Sequence, residues 1–161
     1  MGYLNRSALI SEDGLYRYHL TRTWGDGDRA VFIMLNPSTA DGLTDDATIR
    51  RCIGYAKAWQ LGGIEVVNLY AYRATHPEDL WTVDDPVGPD NDRWLWSAGA
   101  SGYRLIAAWG DHAKPERVAQ VRAMPGLDNL TCLRTTRQGA PAHPLRLRAD
   151  LTPVRWPAAP Q

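Results

Sequence analysis

The sequence predicts an α/β fold: a three-layer α/β/α sandwich with a mostly parallel central sheet of about four strands plus an N-terminal β-hairpin. Unbroken apolar runs of strand length recur along the chain, and stretches with helical spacing separate them. The joints are short, and strand–helix–strand units of this kind are parallel and right-handed. The 161 residues fit a single domain, 1–161, with an ordered core expected at about 15–156.

The first predicted element is a β-hairpin that leads into a buried strand. Residues 15–24 are rich in aromatic and β-favouring side chains, and residues 25–28 carry the turn signal Gly-Asp-Gly-Asp. Residues 30–35 are all apolar, as in a strand covered on both faces. We expect that strand to end at Asn36-Pro37, because proline cannot donate to a ladder.

The next segment predicts a helix followed by a second buried strand. Residues 44–48 supply an N-cap and acidic residues for a first turn. Apolar residues then follow helical spacing from Ile49 to Trp59, and Gly62-Gly63 ends the element. Residues 64–70 form the second apolar run.

The pattern then repeats to the end of the chain. We predict helices near residues 91–100 and 115–123, and strands at 104–109 and 129–133. The segment from Gly139 carries several prolines and predicts an ordered loop followed by a loose end.

Composition excludes several classes of protein. The mean hydropathy is -0.39, no long apolar run is present, and no apolar stretch follows Met1, so we expect neither a membrane span nor a secretory signal. Cys52 and Cys132 lie in apolar segments, as buried structural thiols do, which indicates the cytoplasm. The net charge of +0 argues against strong nonspecific nucleic-acid binding, although acidic residues concentrate in the middle and arginines after Thr131.

Polar residues follow each predicted strand at the edge where ligands bind in open parallel sheets. Four segments meet there if the fold is as predicted: residues 35–41, 68–73, 109–113 and 142–148. Each places a hydrogen-bonding side chain directly after an apolar run or beside a proline. Their convergence predicts a functional site at the carboxyl ends of the strands.

Two asparagines in these segments have two interpretations each. Asn36 can hold a water or a base edge with its donor and its acceptor, or form an Asx turn before proline, and its position slightly favours the turn. Asn68 interrupts an apolar strand, where a polar side chain is costly unless it is bonded. It either recognises an amide-like edge, such as that of a pyrimidine, or holds a loop in place.

The histidines and a pair of acids are similarly ambiguous. His143 is either structural or catalytic, and His112 either sits near a helix start, where it suits an anion, or on the surface. Asp45 and Asp46 fit a metal site or a general base, but helix capping accounts for both.

The chain carries six short motifs, at residues 32–41, 48–52, 67–69, 73–75, 108–110 and 143–145. With them it closely resembles a bacterial and phage family catalogued as a domain of unknown function, over residues 16–156.

The same landmarks, in the same order, are similar to those of the uracil-DNA glycosylase superfamily. That superfamily has a strand ending in Asp, Glu or Asn before Pro, matched by Asn36-Pro37, and a second ending in an asparagine that recognises the base, matched by Asn68. A third strand runs into a glycine, here Gly110, and a late loop carries a His-Pro pair, here His143-Pro144. Its fold is a three-layer α/β/α sandwich.

The resemblance implies hydrolysis of the N-glycosidic bond of a damaged or modified base, flipped out of single- or double-stranded DNA. Asn36 would position a water and His143 would donate to the base oxygen. The residues implied in binding the base or substrate are Leu35, Pro37, Ser38, Asn68, Tyr70 and Arg73. Those implied in phosphate or DNA binding are Gly110, His112, Arg146 and Arg148. The resemblance requires no metal, no organic cofactor and no obligate protein partner.

The chain also departs from the superfamily pattern. Met34 stands where the first motif usually has glycine, Leu145 where a small residue usually follows His-Pro, and the cluster-binding cysteines are absent. Asn36 cannot act as a base. Two alternatives to the DNA glycosylase therefore stay open: a hydrolase or transferase on free nucleotides or nucleosides, and a noncatalytic nucleic-acid-binding module.

Overall fold

A computed structural model describes residues 2–157 of the chain. One seven-stranded sheet contains all the strands, in the order β1-β2-β4-β3-β5-β6-β7. The strands are β1 (Asn5–Ile10), β2 (Arg17–Thr23), β3 (Arg29–Met34), β4 (Gly63–Asn68), β5 (Arg104–Ala107), β6 (Leu130–Cys132) and β7 (Val154–Trp156). The helices are α1 (Ala47–Ala58), α2 (Asn91–Gly99) and α3 (Pro115–Arg122), and a 3-10 helix spans Pro77–Thr82.

The sheet is mixed, and the prediction of a mostly parallel sheet was wrong. The four predicted apolar strands do lie together and parallel, in the order β4-β3-β5-β6. The pairs β1-β2, β2-β4 and β6-β7 are antiparallel. The sequence pattern missed β1 and β7 because edge strands expose much of their surface and so lack an unbroken apolar run.

An N-terminal hairpin is present, but it joins β1 to β2 and so begins before residues 15–24, where it was predicted. Strand β2 pairs with β1 on one side and with β4 on the other, so β4 separates it from β3. The turn at residues 25–28 therefore connects strands that are not neighbours. Strand β3 lies instead between two parallel partners, β4 and β5, as its unbroken apolar run predicts for a strand covered on both faces.

Alternate residues of β3 enter two separate apolar clusters. Phe32 packs in a cluster that includes Ile49 and Cys52 of α1. Ile33 packs in the other cluster, with Leu95 of α2 and residues of α3. Successive side chains of a strand point to opposite faces, so the clusters cover the two sides of β3. The finer architecture, a three-layer sandwich, stays a prediction.

Helix α1 begins and packs as its sequence pattern predicts. The carboxylate of Asp46 accepts a hydrogen bond from the backbone N–H of Ile49 at 2.9 Å, which is the N-cap interaction. Ile49, Cys52 and Ile53 are buried, as the helical spacing predicts. This cap fixes the first turn of α1 beside the carboxyl ends of β3 and β4.

Backbone hydrogen bonds continue past the strand ends and hold the following loops together. The N–H of Tyr70 donates to the carbonyl of Leu35 at 3.0 Å, and that of Ala108 to the carbonyl of Ile33 at 2.8 Å. The loops after β3, β4 and β5 therefore start at one edge of the sheet. Within residues 2–157, no helix is both long enough and apolar enough to cross a membrane.

Candidate functional site

A cavity of about 590 Å³ opens where the loops after β3, β4 and β5 meet the first turn of α1. A volume of this size is typical of small-ligand sites, which span about 300–1,000 Å³. The predicted site residues that line it are Leu35, Asn36, Pro37, Ser38, Asn68, Gly110, His112 and His143. The strand-end rule therefore located a real concave site.

Asn68 is the most unusual residue in this cavity. Its side chain is 0% exposed, and neither Oδ1 nor Nδ2 has a hydrogen-bond partner among the described residues. Its backbone carbonyl is satisfied, since Nδ2 of Asn91 donates to it at 2.9 Å. An amide buried in this way costs about 1–3 kcal/mol for each unsatisfied group, so the fold retains Asn68 at a loss of stability.

Asn36, at the end of β3, is oriented by two hydrogen bonds. Its Nδ2 donates to the carbonyl of Ala74 at 2.7 Å and to the carbonyl of Pro37 at 3.0 Å. The first bond ties the loop after β3 to the loop after β4. Because both bonds use Nδ2, they fix the direction of the amide and leave Oδ1 as its acceptor toward a water or ligand.

His143 lines the cavity from the loop that follows β6. Its Nδ1 accepts a hydrogen bond from the backbone N–H of Leu145 at 3.2 Å. In a neutral imidazole this bond assigns the proton to Nε2, which is then a donor. Desolvation by the surrounding protein lowers the pKa of His143, and the charge of Asp46 opposes that shift. The side chain is also exposed to solvent at the mouth of the cavity.

The sequence pattern missed Arg17, a second buried polar residue of the cavity. Arg17 begins β2, is 2% exposed and lines the cavity. Its Nη1 donates to the carbonyl of Ala40 at 3.0 Å, whereas its Nε has no partner in the described part of the chain. Burial lowers the pKa of Arg17 to about 10, and Asp46 opposes the shift. A charged residue within a predicted strand was the available signal in the sequence. That signal did not show which residues the side chain of Arg17 contacts.

The two acids considered for a metal site or a general base have other partners. Asp46 lines the cavity and caps α1. Asp45 accepts a hydrogen bond from Nε of the fully buried Arg22 at 2.7 Å. No three His, Cys, Asp or Glu side chains within residues 2–157 come close enough to hold a metal ion. Capping and ion pairing account for both carboxylates.

Four of the predicted site residues lie outside the cavity wall. The buried Tyr70 accepts a hydrogen bond at its hydroxyl from the N–H of Lys114 at 3.2 Å, in a separate, smaller pocket. Nε of Arg73 donates to the carbonyl of Ser38 at 3.3 Å, which supports the loop after β3. Arg148 forms an exposed ion pair with Asp150 at 2.7 Å, and Arg146 is exposed with a φ of 75°. Their predicted roles in binding stay predictions.

The remaining predicted residues shape the wall between β5 and the late loop. Gly110 has a φ of 73°, which favours glycine, and its N–H donates to the carbonyl of Pro141 at 2.8 Å. This bond draws the segment that precedes His143 toward the end of β5. His112 follows on the same wall and is exposed.

Comparison with known proteins gives a family match over most of the chain. Residues 17–145 match the model of a family described as "Protein of unknown function (DUF1643)". No curated protein and no solved structure matches the chain.

Proposed function

The chain belongs to the DUF1643 family, and we propose that it hydrolyses the N-glycosidic bond of a damaged or modified base in DNA. The proposal includes a three-layer fold like that of the uracil-DNA glycosylase superfamily. It places the activity in the cytoplasm, with which the two free, buried cysteines, Cys52 and Cys132, are compatible.

One observation carries the proposal: the buried amide of Asn68 has no partner for its donor or its acceptor in residues 2–157, and it lines the cavity. A base with neighbouring C=O and N–H groups, as on the edge of a uracil-like pyrimidine, satisfies both atoms at once. A hydrocarbon ligand leaves them unsatisfied. The site is thus complementary to a ligand with an amide edge.

His143 supplies the leaving-group chemistry in this proposal. As the glycosidic bond breaks, negative charge develops on the departing base, and a donor aimed at its oxygen stabilises the transition state. The His143 ring, with Nδ1 accepting from the Leu145 N–H and the proton on Nε2, is such a donor. Loss of one donor of this kind typically lowers the rate by about 10²- to 10³-fold.

Asn36 supplies a water-binding acceptor but no base. Its Nδ2 is held by two carbonyls, so Oδ1 accepts a hydrogen bond from the attacking water. An amide does not take up the proton, and hydrolysis depends mainly on departure of the base. We expect removal of His143 to slow the reaction more than removal of Asn36.

A second candidate, hydrolysis of free nucleotides or nucleosides, is favoured by the charge distribution. The net charge is +0, and the guanidinium of Arg148, predicted to contact phosphate, is paired with Asp150 at 2.7 Å. Both features weaken attraction to a DNA backbone. The chemistry in the cavity is the same for both candidates. They differ in whether the base belongs to a DNA strand or to a free nucleotide or nucleoside.

The test is an assay for abasic sites on labelled single- and double-stranded oligonucleotides. The substrates carry uracil, hypoxanthine, xanthine or 5-substituted pyrimidines, and alkali cleaves the abasic products. We expect strand cleavage with one of these bases, and its loss in Asn68→Leu and in His143→Ala. His76→Ala is the matched control, because His76 is exposed and lies outside the cavity wall.

The outcomes separate the candidates. Absence of abasic sites with every base contradicts the DNA glycosylase. Release of free base from nucleotides, followed by chromatography and lost in His143→Ala, then establishes the second candidate. Salt-sensitive oligonucleotide binding without any base release indicates the noncatalytic module.

A further inference from the structure

Arg17 differs from the other buried arginines of the chain. Arg22 and Arg117 are 0% and 5% exposed, and each has a carboxylate at 2.7 Å, from Asp45 and Asp92. Arg17 is 2% exposed, and no carboxylate lies within ion-pair distance of it in the chain from residue 2 to 157. One buried cation thus lacks the counterion that the chain supplies to the others.

The missing counterion has an energetic consequence. A buried charge is costly unless it is paired and hydrogen-bonded, and Nε of Arg17 is unpartnered within the described residues. Because Arg17 lines the cavity, a ligand can reach its surroundings, where the charge of Asp46 acts on Arg17 only from beyond ion-pair distance. A planar guanidinium matches the oxygens of a phosphate or carboxylate with two parallel hydrogen bonds.

The first turn of α1 adds a second attraction for an anion. Ala47 and Thr48 line the same cavity, at the start of a helix of 12 residues. The N–H groups of a first helical turn have no intrahelical partners, and the helix dipole favours negative charge there. Asp46 lines the cavity as well, and its charge weakens this attraction, although its carboxylate is engaged as the N-cap.

We infer that Arg17 and the first turn of α1 bind a phosphate group of the ligand whose base contacts Asn68. The contact between the base and Asn68 rests on the proposed function, whereas the phosphate contact rests on Arg17 and the first turn of α1 and is independent of it. The phosphate belongs either to a free nucleotide or to the strand that carries a flipped-out base.

Binding measurements on the full chain test the subsite. The probes are inorganic phosphate, deoxyuridine, dUMP and a single-stranded oligonucleotide with one uracil, measured by calorimetry and by thermal unfolding. We expect dUMP to bind at least about tenfold more tightly than deoxyuridine, as for other charge-assisted contacts. In Arg17→Met we expect that preference to fall below about twofold while deoxyuridine affinity is unchanged.

Two further variants distinguish loss of the phosphate contact from a folding defect. Arg17→Lys keeps the charge but loses the two-pronged geometry, so it is expected to retain part of the dUMP preference. Arg93→Met is the matched control, because Arg93 is exposed on α2 and lies outside the cavity wall. Thermal unfolding without ligand shows which variants fold.

Each outcome of these measurements either supports or overturns the phosphate subsite, or identifies the source of the phosphate. Phosphate that raises the unfolding temperature of the wild type but not of Arg17→Met supports the subsite, even if no nucleoside binds and the base proposal fails. An equal rise in both proteins or no rise in the wild type overturns it. Measurable deoxyuridine binding that the phosphate of dUMP does not strengthen also overturns it. Tighter binding of the oligonucleotide than of dUMP assigns the phosphate to a strand, and the reverse assigns it to a free nucleotide.

Discussion

At the scale of single residues, the cavity contains polar groups that the fold itself leaves unsatisfied. Asn68 lacks partners for both amide atoms, and Arg17 lacks one for Nε, among residues 2–157. Three further buried atoms without a partner in the described chain, Nε of Arg51, Nε of Arg122 and Oδ1 of Asn91, lie outside the cavity wall, each on a different side chain. The cavity wall combines three such atoms on two side chains, which favours a ligand that satisfies them.

Asn68→Leu separates stability from function. Leucine has a similar size and removes two unsatisfied polar atoms from a fully buried position, so we expect the free energy of unfolding to rise by about 1–2 kcal/mol. Urea unfolding measures the change, while deoxyuridine and dUMP binding is expected to disappear. Asn91→Leu is the control: Asn91 is equally buried and its Oδ1 has no partner in the described residues, but its Nδ2 donates to the carbonyls of Asn68 and Leu69 at 2.9 and 3.2 Å. That variant should lose stability, and a loss of the same size in Asn68→Leu would show that Asn68 is structural.

At the scale of elements, the sequence predicted those strands and helices that have a clear local pattern of apolar residues. Strand β3, strand β4 and helix α1 were predicted because their unbroken apolar runs and helical spacing are local properties. Strand β1 is largely exposed and strand β7 has only three residues, so neither gives such a pattern. Strand β2 pairs with β4, which is distant in sequence. The turn at residues 25–28, which joins β2 to β3, gave no sign of this pairing.

The same distinction explains which parts of the site were predicted. Asn36, Asn68 and Gly110 follow apolar strands, so their position at one sheet edge follows from the parallel pairing of β3, β4 and β5. Arg17 enters the cavity only because β2 pairs antiparallel with β4. The hydrogen bond that fixes the proton on His143 depends on the path of its own loop, which has no periodicity to detect.

Helix α1 provides the second prediction, through its N-cap. Asp46→Ala removes the acceptor of the Ile49 N–H bond and is expected to cost about 1 kcal/mol, whereas Asp46→Asn keeps an acceptor and costs less. Both variants remove a charge that raises the pKa of His143, so we expect that pKa to fall further below its ordinary value. Urea unfolding and an NMR titration of the His143 ring measure the two effects. An unchanged His143 pKa in Asp46→Asn would contradict the electrostatic link between these residues.

At the scale of the whole molecule, charge distribution bears on whether the ligand is a polymer. The chain is neutral overall, yet its arginines concentrate after Thr131, and Arg146 directly follows a residue of the cavity wall, Leu145. Recognition of a base within a strand requires contacts to neighbouring phosphates, which position the strand. We expect the exposed Arg146 to make one such contact if the ligand is a strand, and Arg17 to make another inside the cavity.

The salt dependence of oligonucleotide binding decides between a strand and a free nucleotide. Each phosphate contact to a single strand contributes about 0.7 to the slope of log K against log salt, so two arginines predict a slope of about −1.4. Arg146→Gln is expected to reduce the slope by about 0.7 without changing which base is preferred, because a phosphate contact is independent of sequence. Arg93→Gln is expected to leave the slope unchanged, since Arg93 lies on α2 outside the cavity wall. A slope near zero, together with tight dUMP binding, would show that the phosphate beside Arg17 comes from a free nucleotide and that the C-terminal arginines serve another purpose.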